Sequence, residues 1–359
     1  MIKLLVVDDS ALVRKLLGEI FGDEADFELA FARNGLEALE QLQTYAPDVI
    51  TLDVHMPQMD GLACLDRIMV QKPRPVVMLS SLTADGADAT LKALRLGAVD
   101  FVAKPSGAIS LGLDEMADEL VTKVRSAASA KLPKSLRLKE RVRHRMQGAR
   151  PTRRATGKAA PAAESLQGDG LVLVGTSTGG PPALETLLTS LPKKFPWPVL
   201  VAQHMPASFT GALARRLDGI CELTVVEVTK PTPLVPGFVY IGRGDADVIV
   251  TRRAGVLVAM SAPSRADYPW HPSTDRLVRS AREHLPASQL VGVLMTGMGY
   301  DGAAAMAEMR AAGGKTIAES EETAVVWGMP GELVRADGAD FVLPLPQIAA
   351  CLERLMPCR

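Results

Sequence analysis

Short apolar runs alternate with segments of helical spacing along most of this chain. In the first third, Ile2 to Val7, Glu28 to Ala32, Val49 to Leu52, Val76 to Leu79 and Phe101 to Val102 predict strands. Between them, Leu12 to Phe21, Leu36 to Leu42 and Ala87 to Leu96 place apolar residues on one helical face. Five such β-α units predict a doubly wound parallel sheet, whose ligands sit at the carboxyl ends of the strands. The pattern resumes after residue 170. Leu171 to Val174, Val199 to Ala202, Phe238 to Ile241, Val248 to Val250, Gly255 to Ala259 and Leu290 to Leu294 predict strands of a second α/β unit.

Between the two units the pattern fails. Residues 123 to 158 carry thirteen Lys or Arg against one acidic residue, Glu140, and lead into Ala, Pro, Ser and Gly. Too little apolar surface is present to fold alone, so this reads as a solvated linker, with a short helix conceivable around Lys134 to Met146. No aromatic residues are interleaved for base stacking, and no helix-turn-helix pattern follows, so DNA is not an expected partner. The expected division is 1–124, linker 125–168, and 169–359.

Composition agrees with two domains of α/β type: 359 residues, 47% hydrophobic, only 4% aromatic. The four cysteines show neither C-x-x-C nor zinc spacing, no stretch reaches the roughly 20 apolar residues of a membrane span, and no charged-then-apolar leader precedes the first strand. A reduced, cytoplasmic protein is expected.

The strand ends of the first unit carry Asp8-Asp9, Asp53, Ser80-Ser81 and Lys104-Pro105. A lone Asp at a strand end is commonly a helix cap. Converging carboxylates, however, repel unless a cation lies between them, and Mg²⁺ suits three oxygens. With Lys104 and Ser80 beside it, Asp53 is placed to accept a phosphoryl group. This constellation resembles the flavodoxin-like receiver domain of response regulators. The resemblance implies Asp53 as phosphoacceptor, and Asp8 and Asp9 as Mg²⁺ ligands helped by the His55 backbone carbonyl. It also implies Ser80, Phe101 and Lys104 as the switch, with a cis Lys104-Pro105 bond.

The second unit opens with Gly175-Thr176-Ser177-Thr178-Gly179-Gly180, a G-x-S-x-G loop between an apolar run and a helix begun by Pro181-Pro182. Such a turn exposes a serine hydroxyl for nucleophilic attack, although Gly-rich loops also cradle phosphate. Gln203-His204-Met205-Pro206 and Thr296-Gly297-Met298-Gly299-Tyr300-Asp301-Gly302 end two further strands. Ser, His and Asp at neighbouring strand ends would suit acyl transfer. On spacing alone His271 rivals His204 as the base, with His144 and His284 weaker, and Asp301 could equally cap the helix that follows. The order Ser, His, Asp differs from the usual Ser, Asp, His of lipases and esterases.

Together with Val325-Val326-Trp327-Gly328-Met329-Pro330 and the receiver's Gly97-Ala98-Val99-Asp100-Phe101, these motifs resemble the protein-glutamate methylesterase/protein-glutamine glutaminase (CheB) family of chemotaxis. The resemblance implies a Rossmann-like methylesterase domain with Ser177 as nucleophile, His204 as base and Asp301 as its orienting carboxylate. Thr178 and Met298 would bind the oxyanion through their backbone amides, and no cofactor would be needed there. It implies demethylation of chemoreceptor glutamates with release of methanol, deamidation of receptor glutamines, and a histidine kinase as phosphodonor. Contact with membranes would come only through receptors. Thr176 and Tyr300 depart from the family pattern and are expected to bear on substrate fit. The alternatives are a receiver-controlled methylesterase with a non-chemotaxis substrate, and a non-enzymatic receiver-linked binding regulator.

Overall fold

The computed structural model describes residues 1–104, 113–132 and 170–356. The Pro105 peptide bond, His144, the helix considered near 134–146 and nearly all of the basic linker lie outside these residues. Its first unit runs β1 (Ile2–Val7), α1 (Ala11–Gly22), β2 (Phe27–Ala32), α2 (Gly35–Thr44), β3 (Val49–Asp53), α3 (Gly61–Gln71), β4 (Val76–Ser80), α4 (Ala84–Leu96), β5 (Asp100–Ala103) and α5 (Leu113–Ala128). Side-chain oxygens of Ser10, Asn34, Asp60 and Thr83 accept from the first-turn amides of α1 to α4, so each loop starts its helix with a local signal. The sheet order is β2-β1-β3-β4-β5, all parallel, and β3 and β4 are buried throughout because helices cover both faces. Helix α5 continues past residue 124.

The second unit runs β6 (Leu171–Thr176), α6 (Gly180–Leu188), β7 (Val199–Gln203), α7 (Ala207–Asp218), β8 (Thr224–Val228), β9 (Thr232–Pro233), β10 (Phe238–Gly242), β11 (Ala246–Arg253) and β12 (Val256–Pro263). It continues with α8 (Thr274–Arg282), β13 (Leu290–Leu294), α9 (Ala303–Ala311), β14 (Lys315–Glu319), α10 (Met329–Arg335), β15 (Phe341–Leu343) and α11 (Leu345–Leu355). Seven parallel strands order as β15-β14-β13-β6-β7-β10-β8. Pro181 and Pro182 occupy the first turn of α6, where an amide proton has no helical acceptor.

Two expectations change. The runs at Val248 and Gly255 do form strands, but β11 and β12 pair antiparallel as a hairpin outside the main sheet, with β9 alongside. Ala254 and Gly255 both have positive φ, so Gly255 belongs to the turn rather than to the strand. The unpredicted strands β8, β14 and β15 have charged, polar or exposed positions that interrupt the apolar run, and β8 and β15 are the sheet's edges.

The two units pack through α4 and the start of β5 of the receiver. Helix α4 lies against α6 and α7, the helices that follow the Ser177 and His204 loops. Phe101 packs on Phe209 with centroids 4.4 Å apart and the rings tilted by 44°. Arg95 and Arg216 share Glu185 at 3.8 and 2.5 Å.

Candidate active site and receiver pocket

In the receiver, the carboxylates of Asp8, Asp9 and Asp53 lie within 4.8 Å of one another. Asp8 and Asp53 are buried and Asp9 is exposed, so the cluster opens toward solvent on one side. Lys104 Nζ reaches Asp8 Oδ2 at 2.7 Å and Asp53 Oδ2 at 2.9 Å. Burial pushes the Asp53 carboxyl up despite Lys104. Burial also works against charge on Lys104, but hydrogen bonds to Asp8 and Asp53 hold its ammonium above the ordinary lysine value. One lysine against three carboxylates leaves an excess of negative charge on hard oxygen donors, which fits a divalent cation such as Mg²⁺. The His55 side chain is exposed and its backbone amide donates to Asp53.

Ser80 and Phe101 face elsewhere. Ser80 Oγ donates to the Gly86 carbonyl at 3.1 Å, in the first turn of α4. Phe101 is buried, with Lys123 Nζ 5.3 Å above the ring and Phe209 against it.

In the second unit, β6, β7 and β13 are adjacent in the sheet, so their loops emerge side by side. The His204 amide donates to the Thr176 carbonyl at 3.0 Å, while Gln203 Nε2 ties the Ser177 and His204 carbonyls together at 3.1 and 2.9 Å. Ser177 therefore stands beside His204 for reasons of strand register. The Ser177 amide donates to the Thr296 carbonyl at 3.0 Å, and a Cβ on Gly297 would lie 2.8 Å from the Ser177 Cβ. Only glycine permits this approach, which brings the following residue, Met298, to the same pocket.

His204 Nε2 lies 2.8 Å from Asp301 Oδ2, and both side chains are nearly buried. Asp301 also accepts from the amides of Thr274 at 2.6 Å and Asp275 at 3.0 Å, and from Ser273 Oγ at 3.0 Å. Burial alone would raise this carboxyl, but the His204 bond and these amides hold it below the ordinary aspartate value. Asp301 thus presents its carboxylate to Nε2 of His204, and the ring's other nitrogen, Nδ1, makes no bond to it. That Nδ1 is buried and has no hydrogen-bond partner.

Asp301 does not cap its own helix, since Gly302 holds the N-cap position of α9 without a side-chain bond. It caps the start of α8 instead. His271 pairs through Nδ1 with Asp247 at 2.9 Å, but Asp247 is fully buried and already engaged by Arg276 and the Ser273 amide. His271 is held in a structural cluster, and His284 follows α8 at its carboxyl end. Thr176 contradicts its expected bearing on substrate fit: it is fully buried and donates to the Thr296 carbonyl at 3.0 Å. Tyr300 is 59% exposed.

Sequence reasoning passed over three supports. Glu319 is fully buried and accepts from the Thr296 amide at 2.8 Å, fixing the carbonyl that holds Ser177. Asp100 Oδ2 accepts from Thr178 Oγ1 at 2.5 Å, linking the receiver to the residue after Ser177. Trp270 stacks parallel to the His204 ring, 6.0 Å away and tilted by 7°. An acidic residue beside the switch aromatic was the available signal for Asp100; the other two are set by tertiary packing.

Fold and site together define a hydrolase domain coupled to a receiver. Residues 172–352 match the CheB methylesterase family, and residues 4–112 match the response regulator receiver domain. Over 356 residues the chain is 59% identical to protein-glutamate methylesterase/protein-glutamine glutaminase 2 of Rhodopseudomonas palustris, covering 98% of this chain and 97% of that protein. It is 52% identical over 358 residues to protein-glutamate methylesterase/protein-glutamine glutaminase 3 of Rhodospirillum rubrum, covering 99% and 96%. The crystal structure of the Thermotoga maritima CheB methylesterase catalytic domain superposes with a TM-score of 0.51 at 38% identity, covering 53% of this chain and all of that one. The chain belongs to the CheB methylesterase family and is a receiver-linked enzyme of it, which sets aside the non-enzymatic regulator. Among the described residues, no helix is long and apolar enough to cross a membrane.

Proposed function

We propose that this enzyme removes methyl esters from chemoreceptor glutamates, and converts receptor glutamines to glutamates, through Ser177, His204 and Asp301. The observation that carries this reading is the 2.8 Å contact of His204 Nε2 with Asp301, made where the Ser177 and His204 strand ends lie side by side, with Nδ1 buried and free of any hydrogen bond. Ser177 Oγ attacks the ester carbonyl carbon as His204 Nδ1 takes its proton. Asp301 stabilises the imidazolium that results. The Thr178 and Met298 amides face the oxyanion, and losing one such donor costs on the order of 100-fold or more in rate. His204 returns the proton to the departing methoxide, giving methanol and a glutamyl-enzyme. Water, deprotonated by His204, then releases glutamate; an amide substrate would release ammonia by the same route.

The receiver supplies control. Asp8, Asp9 and Asp53 would hold Mg²⁺, with the His55 carbonyl as a further ligand, and that cation would supply positive charge to offset an incoming phosphoryl group. Asp53 takes that group from a histidine kinase, and Lys104 exchanges its carboxylate contacts for phosphoryl oxygens. Ser80 and Phe101 then leave the positions they hold against Gly86 and Phe209. Before phosphorylation, Asp100 on Thr178 and Phe101 on Phe209 keep the receiver against the catalytic loops and limit receptor access. A cytoplasmic location, with receptors as the only route to the membrane, fits this role.

The test is methanol release from methylated receptor. Ser177→Ala should lose at least about a thousandfold in rate while retaining its fold by circular dichroism, with His204→Ala close behind because the two act as a unit. Wild-type turnover by Ser177→Ala would rule out the acyl-enzyme.

A further inference from the structure

The Ser177, His204 and Asp301 arrangement leaves one degree of freedom unexplained. Nε2 of His204 is held by a single hydrogen bond and Nδ1 by none, so hydrogen bonding alone lets the imidazole rotate about its link to Asp301. Such rotation would change where Nδ1 lies relative to the Ser177 loop. An indole lies against this ring. Trp270 runs within 7° of parallel to it at a centroid distance of 6.0 Å, inside the range of favourable offset stacking.

Trp270 is itself clamped. Gly299 has φ +82°, and a Cβ there would come within 2.7 Å of the indole, so the ring lies flush on the backbone between Met298 and Tyr300. Tyr300 meets the indole edge-on, 4.8 Å away at 84°. On the other side, the adjoining His271 is bonded to Asp247 at 2.9 Å, and Ser273 to both Asp247 and Asp301 at 2.7 and 3.0 Å. One segment thus fixes the Asp301 carboxylate and the indole together.

We propose that Trp270 is a positioning residue for this reaction: its indole face, buttressed by Tyr300 and Gly299, sets the plane of His204 and so aims Nδ1 at the serine. This rests on the reading above, in which His204 is the base. It also gives Tyr300 a role. Its exposed ring supports Trp270 rather than adding charge at the mouth of the site.

The role predicts a loss in turnover rather than in receptor binding. Misplacing a reacting group by about 1 Å can cost on the order of 100-fold, and partial disorder of the ring costs less. In phosphodonor-treated full-length protein, Trp270→Ala should lower kcat for methanol release about tenfold with KM changed less than about twofold. Trp270→Phe, which keeps a flat ring, should recover most of kcat, whereas Trp270→Leu, apolar but not flat, should not. Tyr300→Ala should fall between wild type and Trp270→Ala. Leu and Phe variants of equal kcat would overturn the proposal, as would a loss confined to KM; should the Ala variant not fold, the Leu and Phe pair still decides. Ser177→Ala assayed alongside separates the two readings: if it keeps turnover the base assignment fails, and if it is inactive while Trp270→Leu is unimpaired only the positioning role fails.

Discussion

The receiver pocket and the Ser177 site are built on the same plan and charged in opposite ways. Each lies where a parallel sheet reverses its order, at the carboxyl ends of neighbouring strands: β1 and β3 in one, β6, β7 and β13 in the other. In the receiver three carboxylates crowd within 4.8 Å with one lysine between them, and burial raises Asp53. In the catalytic unit a single carboxylate, Asp301, is surrounded by donors from Ser273, Thr274, Asp275 and His204, and is held low. An undercompensated cluster invites a cation and a phosphoryl group. A fully compensated carboxylate holds one imidazole tautomer in place.

The same substitution made on both sides should therefore have different effects. Asp301→Asn should reduce kcat by on the order of a thousandfold or more, since the amide would stabilise the wrong tautomer of His204. Asp53→Asn should abolish hydroxylamine- and alkali-labile phosphate, detectable by intact-protein mass spectrometry with a small phosphodonor and Mg²⁺. It should leave methanol release by the unphosphorylated protein nearly unchanged. Equal kinetic damage from the two changes would break the comparison.

The contact between the two sites gives a smaller effect. A catalytic fragment beginning near residue 160 should outpace unphosphorylated full-length protein in the methanol assay, and phosphodonor should accelerate only the full-length chain. Within the intact chain, Asp100→Asn weakens a charge-assisted hydrogen bond, the stronger class of hydrogen bond. Basal release should rise several-fold toward the fragment's rate. A fragment no faster than the whole would instead leave phosphorylation to act by building a more active surface.

The smallest effect concerns Glu319 under the Ser177 loop. Burial raises its carboxyl above the ordinary 4.5, so between the unfolded and folded values the folded protein holds a proton that the unfolded chain has released. Stability should therefore fall as pH rises through that interval. Glu319→Gln should remove this slope in urea melts taken from pH 4 upward; an unchanged slope would place the titration elsewhere.

Most of this architecture was legible because parallel strands covered on both faces are written as nearly continuous apolar runs, as in Leu171–Thr176 and Leu290–Leu294. The chemistry-bearing loops followed directly from where those runs stop. Strands such as Lys315–Glu319 escaped because polar residues at their ends feed hydrogen bonds into the site rather than into the pattern. The choice between His204 and His271 could not be made by spacing. Each finds a carboxylate under 3 Å away, and only the three-dimensional partners of Asp247 and Asp301 separate them. Thr176 misled for a related reason: its neighbour Ser177 is partly exposed, but alternation along the strand end turns Thr176 inward.

The hydrogen bond from Thr178 to Asp100 joins the residue next to Ser177 to the residue next to Phe101. Communication through such a contact runs in both directions, because a coupling free energy belongs to neither site. If phosphoryl at Asp53 loosens the receiver from the Ser177 loop, then any ligand that occupies that loop and displaces the receiver must favour the phosphorylated form at equilibrium by the same factor. A receptor engaged at the catalytic site would thus shift the equilibrium toward the phosphorylated state that admitted it, making substrate a partner in setting how much of its own enzyme is active.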